Sequence, residues 1–331
     1  MARYRASGVF NLIALAIGAV AFGFVAAHLG WSGVREAIVG TGVWFAVIAA
    51  IDLASAMCDA FAIHGLVRPT APVSYARVVA AQLSGMAINR LTPGNTLGEP
   101  VKVTMLVRGA PVDAAVAAVV MFNLLTMSIA VAVIVLGVPL TALWLELPGR
   151  VALAVWIAAA LLVIVAAALW LLVRRGALGT GIDALAGMRV IGSTRAARWR
   201  TKATAIDGRV RSIASARTPG IGRGIAGVVG SRLLNGLGTI TVLYAADIPM
   251  TVPLVIASLS VGILIAWLSN IIPLGLGIAD GTNYVLYGLL GAAPVAGLLF
   301  TLVNRLRTVV LALLGLTVMV IANGLDKRNS G

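Results

Sequence analysis

Two polar interruptions in an apolar chain carry the residue types that could handle a charged substrate. One reads NRLTPGNTLGEPVK, Asn89 to Lys102, and the other SNIIPLGLGIADG, Ser269 to Gly281. Asn89, Pro93, Gly94, Gly98 and Glu99 in the first are echoed by Asn270, Pro273, Gly275, Gly277 and Asp280 in the second. Pro and Gly free backbone polar groups, which a bilayer tolerates only where protein or a wet cavity satisfies them. A matched pair of interrupted segments, one per half of the chain, points to a transporter-like binding site. A half-helix beginning after each Pro would present N–H groups and the positive end of its dipole, an arrangement suited to a phosphate. Thr96 to Glu99 also has the form of a capping box, in which Glu99 would serve only its own helix. Asp280 has the same two readings.

Cations inside apolar runs are the more specific signal. Arg232, with Asn235 close by, falls about ten residues into the run 222–246. Arg305, next to Asn304 and on a stripe with Thr301 and Thr308, falls about eleven residues into the run 294–324. An Arg at the bilayer centre costs about 2.5–3.5 kcal/mol even on the mildest scale, so each should face a partner or a wet cavity. Both are expected to approach the space between the two breaks, within reach of Glu99 or Asp280. Arg90, Lys102, Arg232 and Arg305 could line a cavity for a lipid phosphate, where Arg makes a paired contact. They could equally be neutralised by Glu99, Asp280, Asp52 and Asp59. Arg90 and Arg307 have a plainer option, snorkelling to an interface. Asp52, Ser55 and Asp59 share one helix face by their spacing. Two acids there suggest a proton or cation path, unless Asp59 is merely hydrated near a helix end. Gly224, Gly227, Gly230 and Ser231 read as small residues that permit close helix packing.

The elements that must position these residues are membrane helices. The chain has 331 residues, 60% hydrophobic and 11% charged, where a soluble domain carries about 25% charged. Mean hydropathy is +1.04. Runs long enough to span, about 20 residues each, fall near 8–28, 43–66, 112–136, 151–173, 222–246 and 294–324, with the interrupted regions 75–108 and 252–290 between them. The stretch Val9 to Ala27 exceeds the ~7–15 residues of a signal-peptide core and reads as the first span. The fold class expected is an all-α polytopic membrane protein, with about six spanning helices and two re-entrant, broken helix pairs. It forms one integral membrane domain over 1–331, made of a first half 1–173, a basic loop 174–220 and a second half 221–325.

Net charge is +14, and eleven basic residues lie from Arg174 to Arg223 against Asp183 and Asp207. The positive-inside rule then places both termini and residues 174–220 in the cytoplasm of a cell-membrane protein, with 29–42 and 137–150 outside. That charge fits anionic phospholipid as the partner and not nucleic acid. On this orientation 75–108 enters from the cytoplasm and 252–290 from the outside, which makes an inverted repeat. Cys58 is the only cysteine, and His28 and His64 are the only histidines. No intrachain disulfide is possible, and neither a metal site nor a cofactor is expected.

The motifs PGNTLGEPVK and PLGLGIADG, the latter followed after a further helix by VNRLR, resemble the lysylphosphatidylglycerol synthase/flippase transmembrane domain family. Nearly the whole chain is covered. Lys102 stands where that family commonly has Arg, Leu274 replaces a Gly, and Asp280 replaces a Glu. The sign of each charge is kept. Full-length synthases add a soluble aminoacyl-transferase domain, so the resemblance implies the flippase-like part alone. A synthase or transferase acting as a separate partner, and a homodimer, are compatible with it.

Three functions compete. A lipid flippase-like transporter would move an anionic or aminoacylated phospholipid between leaflets. A head-group transferase would need closely spaced acids for a divalent metal, which Asp52, Asp59, Glu99 and Asp280 do not show, so no enzyme activity is expected. A non-catalytic partner protein would leave the intramembrane arginines without a purpose. No P-loop pattern is present to drive transport by nucleotide hydrolysis.

Overall fold

A computed structural model describes residues 41–92, 97–144, 219–269 and 277–328, with scattered residues between 156 and 210. The expected span 8–28, most of 151–173 and most of the basic loop lie outside the described residues, as do Pro93, Gly94, Asn270, Pro273 and Gly275. The helices are α1 (Trp44–Val67), α2 (Tyr75–Leu91), α3 (Gly98–Leu106), α4 (Val112–Trp144), α5 (Pro219–Ala245), α6 (Val252–Ser269), α7 (Ile278–Leu289) and α8 (Pro294–Arg328). There is no strand among the described residues.

Among the described residues, four helices are long and apolar enough to cross a membrane: α1, α4, most of α5 and most of α8. The 24 residues of α1 rise about 36 Å, enough for a hydrocarbon core of ~30 Å. The interrupted regions give short pieces instead. In the first, α2 has 17 residues and α3 has 9, about 26 and 14 Å long. In the second, α7 has 12 residues, about 18 Å. α4 runs past its expected end at residue 136 to Trp144, with Pro139 inside it. Large side chains such as Leu136, Leu233 and Val295 stay exposed, the surface that a lipid solvent requires.

α1 and α5 pack antiparallel. Trp44 meets Tyr244 edge to face with ring centroids 5.0 Å apart, Ser55 meets Ser231 midway, and Gly227 lies against Cys58 and Ala62. A Cβ on Gly227 would come within 2.7 Å of the Cys58 carbonyl oxygen and the Ala62 nitrogen. The small-residue face expected of α5 therefore does permit this approach. α8 lies on α2, and α6 lies on α4. Two apolar cores result. One gathers α1 to α4 with Ala312, Leu316 and Met319 of α8. The other gathers the end of α5 with α6, α7 and Phe300, Val303 and Leu306 of α8. α8 runs through both, and its polar stretch around Asn304 and Arg307 adjoins the zone between them.

Candidate functional site

The break between α2 and α3 is closed by side chains. Asn89, near the end of α2, accepts from the Gly98 amide through Oδ1 at 2.6 Å and donates through Nδ2 to Glu99 Oε1 at 2.9 Å. One side chain thus ties the end of one short helix to the start of the next. Glu99 also accepts from Lys102 Nζ on Oε1 and from Asn123 Nδ2 of α4 on Oε2, both at 2.9 Å. α3 starts at Gly98, with Leu97 as its cap residue and no side-chain cap bond; Thr96, the cap of the expected box, lies outside the described residues. Glu99 is an acceptor for three side chains. Lys102 is 4% exposed and stacks over the Phe122 ring at 5.3 Å, so it serves Glu99 rather than open space.

The second break has a simpler closure. Asp280 Oδ2 accepts from the Gly277 amide at 2.9 Å and from Arg305 Nη2 at 2.6 Å. Arg305 therefore reaches Asp280 as expected. Asn283 of α7 donates to Thr301 Oγ1 of α8 at 2.8 Å. An apolar cavity of about 620 Å³ opens beside Gly277 and Gly281, with Val261, Val285 and Leu289 in its wall.

Arg232 does not reach Glu99 or Asp280. It faces Asp59 of α1, with Nη2 3.9 Å from Oδ1, because the antiparallel seam brings the middle of α5 against the middle of α1. That distance is an ion pair but not a hydrogen bond. Asp59 Oδ2 accepts from Gln82 Nε2 of α2 at a long 3.3 Å. Asp59 Oδ1, Gln82 Oε1 and Arg232 Nε are buried atoms without a hydrogen-bond partner. Three unsatisfied groups on neighbouring side chains mark a polar spot that is loosely filled, since buried polar atoms normally find partners.

One turn along the seam, Asn235 Nδ2 donates to Ser55 Oγ at 2.7 Å. Two turns from Asp59 on the same face, Asp52 is held by Arg307 of α8. Arg307 Nε donates to Oδ2 at 2.9 Å and Nη2 donates to Oδ1, a two-pronged contact. Arg307 Nη1 donates to Asn304 Oδ1 at 2.8 Å. Arg307 is 9% exposed and Asp52 4%, so the snorkelling expected of Arg307 does not occur. Asp59 is 7% exposed, so it is not a hydrated end residue.

Arg90 completes the array. It is half-buried on α2, within electrostatic reach of Asp52, Asp59, Arg232 and Arg307. No hydrogen bond or ion pair of its own is found among the described residues. The gathered cations are Arg90, Lys102, Arg232 and Arg307, and the carboxylates are Asp52, Asp59 and Glu99. Among the described residues, four against three leaves one more cation than carboxylate in the array. Sequence reasoning missed Arg307, Gln82 and Asn123 as parts of this array. The available signal was that Asp52, within an apolar run, needed a cation from elsewhere.

Fold and site define a multi-pass helical membrane protein with its charges gathered inside the bundle. The chain belongs to the lysylphosphatidylglycerol synthase TM region family, whose model matches residues 11–315. No curated protein matches the chain, and no solved structure does.

Proposed function

We propose that the chain is a lipid flippase-like transporter that takes the phosphate of an anionic or aminoacylated phospholipid through the centre of the bundle. The observation that carries this reading is Arg90, a half-buried guanidinium with no direct partner among the described residues, in an array that holds, among those residues, one more cation than carboxylate. A charge held this way inside a bilayer is costly unless it serves a group that comes and goes. A phosphate diester supplies the missing negative charge, and guanidinium geometry suits it. Arg232 is the second contact, because its hold on Asp59 is loose. The tight pairs Asp52–Arg307 and Asp280–Arg305, with the Asn123–Glu99 hydrogen bond, keep the surrounding helices in register. The apolar cavity beside Gly277 suits an acyl chain.

The two halves are read as an inverted repeat of α1–α4 and α5–α8, with the interrupted regions as re-entrant pairs. The antiparallel seam of α1 and α5 supports this, as corresponding helices of inverted halves run in opposite directions. Exchange of halves turns the α2–α8 contact into the α6–α4 contact, and both are present. Each break carboxylate also binds the long helix that follows, Glu99 through Asn123 and Asp280 through Arg305.

The test uses vesicles reconstituted with the purified chain and a head-group-labelled phosphatidylglycerol, with quencher added outside to count molecules that cross. Loss of a charge-assisted hydrogen bond worth about 1.5–3 kcal/mol predicts a fall of roughly ten- to a hundred-fold in transfer for Arg90→Gln. Insertion and melting temperature should stay near the parent, since Arg90 holds nothing else in place. Undiminished transfer in Arg90→Gln at equal protein density would remove the central array from the path.

A further inference from the structure

The ends of α1, α2 and α5 line a second cavity, open and mostly apolar with two cationic side chains in its wall, separate from the central array. Its volume is about 380 Å³, and its wall is Phe61, His64, Arg68, Tyr75 and Arg223. That size lies within the ~300–1,000 Å³ of small-molecule sites. The wall holds two guanidinium groups and no carboxylate. Arg68 and Arg223 are exposed, and neither side chain has a hydrogen bond or ion pair among the described residues. They come from helices far apart in sequence, so their convergence is a product of the fold.

The aromatic part of the wall is fixed in place. His64 Nε2 donates to the Val73 carbonyl at 3.1 Å, and the Tyr75 hydroxyl donates to the Met57 carbonyl at 2.9 Å. The two rings meet edge to face, 5.6 Å between centroids. Phe61, also in the wall, is 42% exposed and adds an accessible apolar ring beside the two guanidinium groups. At the other end of the same helix pair stand Trp44 and Tyr244, the aromatic residues expected at a membrane–water boundary. The cavity therefore sits near the opposite boundary, where phospholipid phosphates lie. Two free guanidinium groups beside a rigid aromatic edge match an anionic phosphate flanked by hydrocarbon.

We infer that this cavity is an interfacial phosphate site that receives the head group of an anionic phospholipid before it moves to the central array. Along α1, Arg68 stands nine residues from Asp59, a rise of about 14 Å. Along α5, Arg223 stands nine residues from Arg232. The same two helices thus carry both sites, one step apart. The onward step rests on the proposed transport, but occupancy of the cavity does not.

Occupancy is read directly by placing p-benzoylphenylalanine at Phe61 in the full chain. The protein is irradiated in vesicles of equal phosphatidylglycerol and phosphatidylcholine, and the lipid adducts are weighed by mass spectrometry. A several-fold excess of phosphatidylglycerol adduct is expected, falling to parity in Arg68→Gln/Arg223→Gln. Arg68→Lys/Arg223→Lys keeps the charge and should hold an intermediate preference, which separates recognition from a folding defect. Suppression of the adduct by millimolar inorganic phosphate would assign the same chemistry to a free phosphate ester rather than a lipid. Parity in the parent, or an unchanged excess in the Gln pair, overturns the site. Arg90→Gln should leave the excess intact while transfer falls, so the two readings fail separately.

Discussion

At the scale of the residue, the array separates pairs that hold from pairs that yield. Asp52 and Arg307 are both buried and joined through two donors, whereas Arg232 stands 3.9 Å from Asp59. Removing one partner of a buried pair strands the other and costs about 3–5 kcal/mol, whereas replacing both by apolar residues is often neutral. Arg307→Leu should accordingly lower the unfolding temperature of the detergent-solubilised protein markedly, and Asp52→Leu/Arg307→Leu should recover most of it. Equal losses in the single and double variants would mean that Asp52 finds another cation. The sequence reading favoured Arg305 and left Arg307 at an interface. Two residues apart on a helix, the two point about 200° apart, so only one could face the second break. What identified the other was Asp52, 255 positions away, and a pairing at that separation leaves no local pattern. Asp52, Ser55 and Asp59 were legible as one face, because helical spacing alone fixes that.

At the scale of the element, the interrupted regions were legible because Pro and Gly act through the backbone of their own segment. The partner of Glu99 was not, since it depends on how α4 packs. The α2–α3 junction is close enough that a Cβ on Gly98 would meet the Gly85 carbonyl oxygen and the Asn89 side chain. The Gly85 carbonyl is α2 backbone and cannot give way without moving that helix. Gly98→Ala should therefore destabilise by about 1–3 kcal/mol, the usual cost of forced overpacking. Gly281 in α7 has nothing within 4 Å of an added Cβ, and Gly281→Ala should be neutral or stabilising by up to ~1 kcal/mol through helix propensity. Thermal unfolding of the two variants in one detergent compares them, and equal melting would show that the α2–α3 approach is looser than described.

At the scale of the whole molecule, charge asymmetry set an orientation that the helix packing can be checked against. Opposite directions for the spans 43–66 and 222–246 follow from the basic loops, and α1 and α5 are antiparallel, so a direction read from charge agrees with contacts read from packing. The first span and the basic loop lie outside the described residues, and their side of the membrane rests on the charges alone. The antiparallel seam makes a joint prediction. Val43, next to Trp44, and Met250, just past α5, lie at one end, since Trp44 touches Tyr244. Gly222, near the start of α5, lies at the other, close to where Gly224 meets Leu66 of α1. In a chain with Cys58 replaced, Val43→Cys and Met250→Cys should both react with an impermeant maleimide added outside intact cells. Gly222→Cys should react only after the cells are opened. All three sites are accessible in the fold, so silence is set by the membrane and not by packing. Outside labelling of Gly222→Cys with silent Val43→Cys and Met250→Cys would reverse the orientation and keep the seam. Labelling of Val43→Cys and Met250→Cys from opposite sides would break the seam, and the inverted repeat with it.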